Sequence, residues 1–261
     1  MVPRVDVLGI EISAVNMEMT LDTVIGWVMS NDRQYVCVTG VHGVMESQRD
    51  RDLATIHNNA GLTTPDGMPM VWAGRAAGAH WIQRVYGPDM MLAVLAEAQA
   101  RSWSSFLYGG APGVPELLAA RLVQRFPGLQ VAGTHSPPFR PLSKDEIQET
   151  AALINASGAS LVWVGLSTPK QERWMAELRP LLEAQVLFGV GAAFDFHAGR
   201  VKQAPRWMQT SGLEWLYRLS REPRRLWKRY LTNNPRFVIA IVKRRPRLVA
   251  PVPSPNLGEY S

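Results

Sequence analysis

At 261 residues the chain holds one large core, or one domain with an appendage, and two equal domains would be a tight fit. Hydrophobic residues make up 46% and charged residues 19%, which excludes a disordered chain. The net charge of +6 conceals two unlike regions. Residues 1–199 carry 14 Lys and Arg against 19 Asp and Glu, a net of −5, whereas residues 200–261 carry 14 against 3, a net of +11.

In chain order, the first segment is interrupted by Arg4, Asp6 and Glu11, so it lacks the uncharged stretch of a secretory signal and a cytoplasmic protein is expected. The single cysteine, Cys37, has no partner for an internal disulfide and lies in an apolar run that predicts a buried strand over 35–39. Asp50-Arg51-Asp52 spells the D-x-D of metal-dependent sugar transferases, but Arg49 and Arg51 surround it and no strand precedes it, so it reads as a solvated helix end. Thr64-Pro65-Asp66-Gly67 places Asp66 at a predicted helix N-terminus. There it is either turn and cap chemistry or a general base, its pKa raised by burial or by a neighbouring carboxylate.

Further strands are predicted over 105–108, 129–132, 160–164 and 186–190, with helices over 88–100, 115–125 and 144–156, several opened by Pro or capped by Ser. That alternation predicts an α/β fold with a mainly parallel, Rossmann-like sheet flanked by helices. Ligands of such sheets bind beyond the C-terminal ends of the strands. At those junctions Gly109-Gly110-Ala111-Pro112-Gly113 and Gly189-Val190-Gly191, the latter leading to Asp195, are either tight turns or backbone cradles for phosphate. In Thr168-Pro169-Lys170-Gln171-Glu172, Lys170 and Gln171 project from a helix start, where they either hold a diphosphate or sugar hydroxyls or are simply the polar first turn of an amphipathic helix. Gly189-x-Gly191 lacks the third glycine of a dinucleotide fingerprint, which weakens a nicotinamide-dependent oxidoreductase. The five histidines have no ligand spacing, so no metal site and no cofactor is expected.

The basic end interleaves Arg and Lys with Trp207, Trp215, Leu216, Leu226, Trp227, Phe237 and Ile239. Nucleic acid and an anionic membrane both offer phosphates, and a nucleic-acid-binding protein is the rival reading. The apolar content favours helices lying in a headgroup layer, and no nucleic acid is expected as partner. The uncharged run 237–242 is far short of a membrane span. The predicted organisation is an α/β catalytic domain over 1–195, a basic amphipathic appendage over 196–245, and a flexible tail over 246–261.

Together these segments resemble the WecG/TagA/CpsF family, glycosyltransferase family 26. The resemblance runs from about Val5 to Arg244. It rests on Thr64-Pro65-Asp66-Gly67, Arg84-Val85-x-Gly87-x-Asp89, Gly165-Leu166-x-x-Pro169-Lys170-Gln171-Glu172-x-Trp174, Gly189-Val190-Gly191-x-x-Phe194-Asp195-Phe196, and Ala204-Pro205-x-Trp207 leading into Gly212-Leu213-Glu214-Trp215 and Glu222-Pro223-Arg224-Arg225. It implies metal-independent, inverting transfer from a UDP-sugar to a polyprenyl-diphosphate-linked saccharide in bacterial surface or exopolysaccharide synthesis. Asp66 takes the place of the family's general base, Thr39, Arg84 and Gln171 of other site positions, and Arg218, Arg224 and Arg225 of its C-terminal arginines. The family's tail implies peripheral attachment to the inner membrane face. Many members have Thr-x-Asn where this chain has Thr39-Gly40-Val41, so the donor is N-acetylmannosamine or its uronic acid, or else a plain hexose. The apolar surface of the appendage leaves open docking on its own core, on a second subunit of a homo-oligomer, or on the bilayer.

Overall fold

The computed structural model describes residues 2–249. Leu8 and Gly9, at φ 57° and 88°, turn strand β1 (Arg4–Val7) back onto β2 (Ile10–Ser13) in a two-residue hairpin of the kind that needs two positive φ angles. Helix α1 (Met17–Ser30) starts at Asn16, whose side chain accepts the Met19 N–H at 2.9 Å, and stops at Asn31 in the left-handed region. Then follow β3 (Gln34–Thr39), α2 (Val41–Ser47), α3 (Arg51–Asn59), β4 (Leu62–Pro65) and α4 (Met68–Ala76). The central alternation comprises α5 (Gly87–Arg101), β5 (Ser104–Gly109), α6 (Val114–Arg125), β6 (Gln130–His135), α7 (Lys144–Ala156), β7 (Leu161–Gly165), α8 (Lys170–Leu178) and β8 (Val186–Gly189). The chain ends in α9 (Ala193–His197), α10 (Arg206–Thr210), α11 (Glu214–Arg221), the long α12 (Pro223–Lys243) and β9 (Arg247–Val249).

Six strands form one parallel sheet in the order β4-β3-β8-β7-β5-β6, the α/β architecture expected. Both of its faces are covered. Val36, Leu107, Trp163 and Phe188 pack with α1, α5 and α6 on one side, while their neighbours Cys37, Phe106, Val162 and Leu187 pack with α7 and α8 on the other. That alternation is the period of two of a strand, and burial on both sides is why these strands read as unbroken apolar runs. Trp163 stacks on Phe188 with ring centroids 4.3 Å apart, filling the sheet's inner layer.

A second sheet, β2-β1-β9, is antiparallel and was not foreseen. Its apolar face, Val5, Val7, Ile10 and Ile12, joins Val44, Met70, Ile82 and Phe237 of α12 in a third core cluster. The loose tail expected from Pro246 is therefore corrected over its first residues: Arg4 to Asp6 pair with Val249 to Arg247, and Arg244 reaches Asp6 at 2.6 Å. The pairing covers an edge of β1 that would otherwise expose its backbone groups. Residues 250–261, the rest of that expected tail, lie outside the described residues.

Since all six strands of the large sheet run parallel, their C-terminal ends share one edge. There β3 and β4 finish side by side, and the Asp66 N–H donates to the Thr39 carbonyl at 2.9 Å. The two segments come so close that a Cβ at Gly40 would stand 2.6 Å from the Asp66 carbonyl oxygen. Gly40→Ala must therefore push two backbones apart, and we expect a loss of about 2 kcal/mol, read from urea unfolding. Wild-type stability in this variant would contradict the close approach.

Candidate active site

A cavity of about 820 Å³ opens beyond the ends of β3 and β4. Its lining takes Gly40, Val41 and His42 from the start of α2, Asp66 and Gly67 from the turn after β4, and Arg84 from the segment before α5. Helices α11 and α12 complete it with Glu214, Arg218, Arg229, Tyr230, Asn233 and Asn234. Farther along, Trp72, Phe237, Val238, Ile241 and Val242 make its wall apolar.

Two carboxylates, Asp66 and Glu214, line this cavity. The Asp66 Oδ1 is buried without a hydrogen-bond partner. Burial is the largest influence and pushes its pKa up to about 6; Arg84, Arg218 and Arg229 oppose this, and Glu214 adds to it. Arg84 is turned away towards the C-terminal helices. Its Nη2 pairs with the Glu214 carboxylate, its Nη1 donates to Gln209 Oε1 at 3.2 Å, and its guanidinium lies 3.9 Å over the Tyr86 ring. The Tyr86 hydroxyl donates to the other Glu214 oxygen at 2.8 Å. Glu214 is thus spoken for twice over, while Asp66 is left able to accept a proton.

His42 joins α2 to α12. The Asn233 Oδ1 accepts from Arg49, so the amide nitrogen faces His42 Nδ1, which accepts it at 3.1 Å. Burial, seconded by Arg229, holds the imidazole down to about 3, so it stays neutral.

A second, smaller cavity of about 200 Å³ lies beyond β5, β7 and β8. Gly110, Gly165, Ser167, Gly191 and Asp195 line it, and Arg218 and Arg229 line both cavities. Beside it stands Gln171, whose Nε2 donates to Glu172 Oε1 at 3.1 Å and to the Gly189 carbonyl at 3.0 Å. Both partners are acceptors, so the amide orientation is determined and both of its protons are used. The Gln171 Oε1 is buried without a partner, 3.3 Å from where a Cβ of Gly191 would stand. This residue therefore offers an acceptor, which suits a hydroxyl or N–H of a ligand and not a phosphate oxygen. Glu172 is fully buried, its Oε1 also accepting from Thr168 Oγ1 at 2.8 Å, and burial raises its pKa. Among the described residues no three His, Cys, Asp or Glu side chains gather where they could hold a metal ion.

The sequence model of the glycosyl transferase WecG/TagA/CpsF family matches residues 5–250, nearly the whole chain. The chain belongs to this family. Two relatives are each named N-acetylglucosaminyldiphosphoundecaprenol N-acetyl-beta-D-mannosaminyltransferase. The one from Bacillus spizizenii (strain ATCC 23059 / NRRL B-14472 / W23) is 32% identical over 198 residues, 76% of this chain and 74% of its own length. The one from Bacillus subtilis (strain 168) is 30% identical over 198 residues, 75% of this chain and 73% of its own. The protein is accordingly a glycosyltransferase, and membership decides between that reading and the nucleic-acid and dinucleotide rivals.

In this WecG/TagA/CpsF glycosyltransferase the structure gathers Asp66, Arg84 and Arg218 at the larger cavity, and Gly110, Gly191, Asp195 and Arg218 at the smaller one. Thr39 is buried under the first, its Oγ1 without a hydrogen-bond partner. Gly109 serves packing instead: a Cβ there would meet the Gly165 backbone at 2.8 Å. Lys170 and Arg224 are exposed and line neither cavity, because each points to solvent from the first turn of its helix. The side chain of Arg225 lies outside the described residues. Sequence reasoning missed Tyr86, Arg229 and Asn233, and quoted Glu214 only within a motif. Glu214 had a signal, being one of only three acidic residues after position 199.

The Asp66 shift fixes a sign for stability. Its carboxyl titrates near 3.8 when unperturbed and at about 6 in the fold, so the folded state is penalised for the buried charge above pH 6 and relieved as pH falls towards 4. We expect Asp66→Asn to be more stable than the native chain at pH 7.5, by on the order of 2 kcal/mol, and equal to it near pH 4. Thermal melts at the two pH values check this, and an Asn variant less stable at pH 7.5 would refute it.

Proposed function

We propose that the protein transfers a sugar from a UDP-sugar to a hydroxyl of a saccharide carried on a polyprenyl diphosphate, inverting the sugar carbon, without a metal ion, in the assembly of a bacterial surface polysaccharide. The observation that carries this reading is the buried Asp66 carboxylate, its Oδ1 without a hydrogen-bond partner, in the larger of two cavities that share Arg218 and Arg229. The smaller cavity, with glycine backbone and Asp195, suits the nucleotide, and the larger one suits the acceptor, its apolar wall of Phe237, Ile241 and Val242 lying along the lipid.

In the reaction Asp66 takes the proton of the acceptor hydroxyl as that oxygen forms its bond to the sugar carbon. The bond from that carbon to the diphosphate breaks on the opposite side, and its electron pair leaves with UDP. A base with a pKa of about 6 is deprotonated at neutral pH yet retains affinity for a proton. Charge arising on the diphosphate meets Arg218 and Arg229, which do the work that a metal ion does in other transferases. Arg229 here takes the place that the sequence reading assigned to Arg224.

The relatives' names point to N-acetylglucosaminyl-diphosphoundecaprenol as acceptor and N-acetylmannosamine as the transferred sugar. Val41 lines the cavity with an apolar side chain, which keeps a plain hexose or a uronic acid in the comparison. No described helix is long and apolar enough to cross a membrane. Exposed Trp227, Leu231, Ile239 and Val242 on a helix rich in Arg and Lys support peripheral attachment to an anionic inner leaflet.

Asp66→Asn should lower turnover by about 10³-fold with its fold intact, and native kcat/KM should decline as pH falls through about 6. A folded Asn variant with near-native turnover would remove Asp66 as base. A panel of UDP-sugars with a short lipid-diphosphate saccharide, read by UDP release, should give equal rates with and without chelator. Loss of activity in chelator would contradict arginine-based neutralisation.

A further inference from the structure

Arg84 and Asp66 are neighbours by construction. The Val85 N–H donates to the Pro65 carbonyl at 3.0 Å, which ties the segment carrying Arg84 to the residue before Asp66, and both side chains line the larger cavity. A guanidinium and a carboxylate so placed would ordinarily pair, yet Asp66 Oδ1 is buried without a partner. The cation is drawn off by Glu214 and Gln209, and both of these belong to the C-terminal helices, Gln209 to α10 and Glu214 to α11. The Gln209 side chain is itself anchored, its Nε2 donating to the Ala204 carbonyl at 2.8 Å.

We propose that Glu214 is a positioning residue for the reaction: with Gln209 it holds Arg84 out of an ion pair with Asp66, so that the base is in working form only while the C-terminal helices are docked. This rests on Asp66 being the base. Tyr86 belongs to the same device, since its hydroxyl occupies the second Glu214 oxygen and its ring carries the guanidinium. The remaining groups that face Asp66 are cations or neutral: Arg218 on α11, Arg229 and Tyr230 on α12, and neutral His42 on α2. Glu214 is therefore the one carboxylate available to occupy Arg84 there among the described residues. Its own negative charge also pushes Asp66 upward, so losing Glu214 acts twice in the same direction.

The test follows two readouts on the full chain. Carbon-13 NMR of labelled aspartate carboxyls, with the Asp66 signal identified by its absence in Asp66→Asn, reads the titration whether or not Asp66 is the base. The pH profile of kcat/KM with a water-soluble acceptor reads the reaction. In Glu214→Gln we expect the Asp66 midpoint and the acid limb of the rate profile both to move down by about one pH unit. Adding Arg84→Gln to that variant should bring both back up. Loss of the Glu214 charge alone lowers the midpoint, so the restraint on Arg84 is isolated by Gln209→Leu, which removes no charge, and unmoved midpoints in that variant would overturn the proposal. So would a double variant that titrates like the single one. Gln209→Leu loosens the same restraint and should shift both midpoints the same way by less, and it serves alone if Glu214→Gln does not fold. A moved NMR midpoint with an unmoved rate profile would instead overturn Asp66 as the base, leaving the Arg84 restraint standing.

Discussion

The Glu214 carboxylate, gripped on one oxygen by Arg84 and on the other by Tyr86, joins the sheet-borne half of the site to the helical half. In the reaction proposed above, Asp66 needs burial to be a base of useful strength, and burial requires a cover. That proposal also asks the cover to bring cations to a leaving diphosphate, and cations beside a buried carboxylate tend to quench it. A single carboxylate on the covering helix resolves this conflict locally, by occupying the nearest guanidinium while leaving Arg218 and Arg229 facing the cavities.

The segregation of charge along the chain serves the same end. Residues 1–199 carry a net of −5 and residues 200–261 a net of +11, so the two stretches attract as the fold closes, and the second brings Arg218 and Arg229 to both cavities. On α12 the inward face repeats at helical spacing: Leu226, Arg229 and Tyr230, Asn233, Phe237 and Ile241. The outward face holds Trp227, Leu231 and Ile239, while the exposed Val238 and Val242 border the larger cavity. One helix thus presents site residues to the core and apolar residues to whatever lies outside it.

Much of the fold was legible because buried parallel strands advertise themselves. Strands β3, β5, β7 and β8 fall within one residue of their expected limits, each a short apolar run that ends in Gly or Thr. Strand β6 is displaced towards the C-terminus, and its residues are exposed or half-buried, as befits a sheet edge. The small sheet was illegible for a related reason: Arg4 and Asp6 alternate with valines on a half-exposed strand, and its partner β9 lies more than two hundred residues away behind a run of arginines and prolines. At the site, Asp66, Arg84 and Gln171 were reached through ordered motifs. Which atom of Gln171 faces the ligand, and what Arg84 pairs with, are long-range facts that no local pattern encodes.

Strand β9 carries a mechanical consequence. Because it zips onto β1 beside the Arg244–Asp6 pair, the helices that roof the active site are fastened at both ends, by α9 against the body and by β9 against the N-terminal hairpin. The roof is a buckled strap rather than a hanging flap. Lifting it to admit a bulky acceptor costs either a strand pairing or a bend within α12, where Pro235 already deletes one backbone hydrogen bond next to Asn233 and Asn234. Strand β1 is in this sense the clasp of the helical roof, and a change in β1 or in β9 pulls on the same buckle.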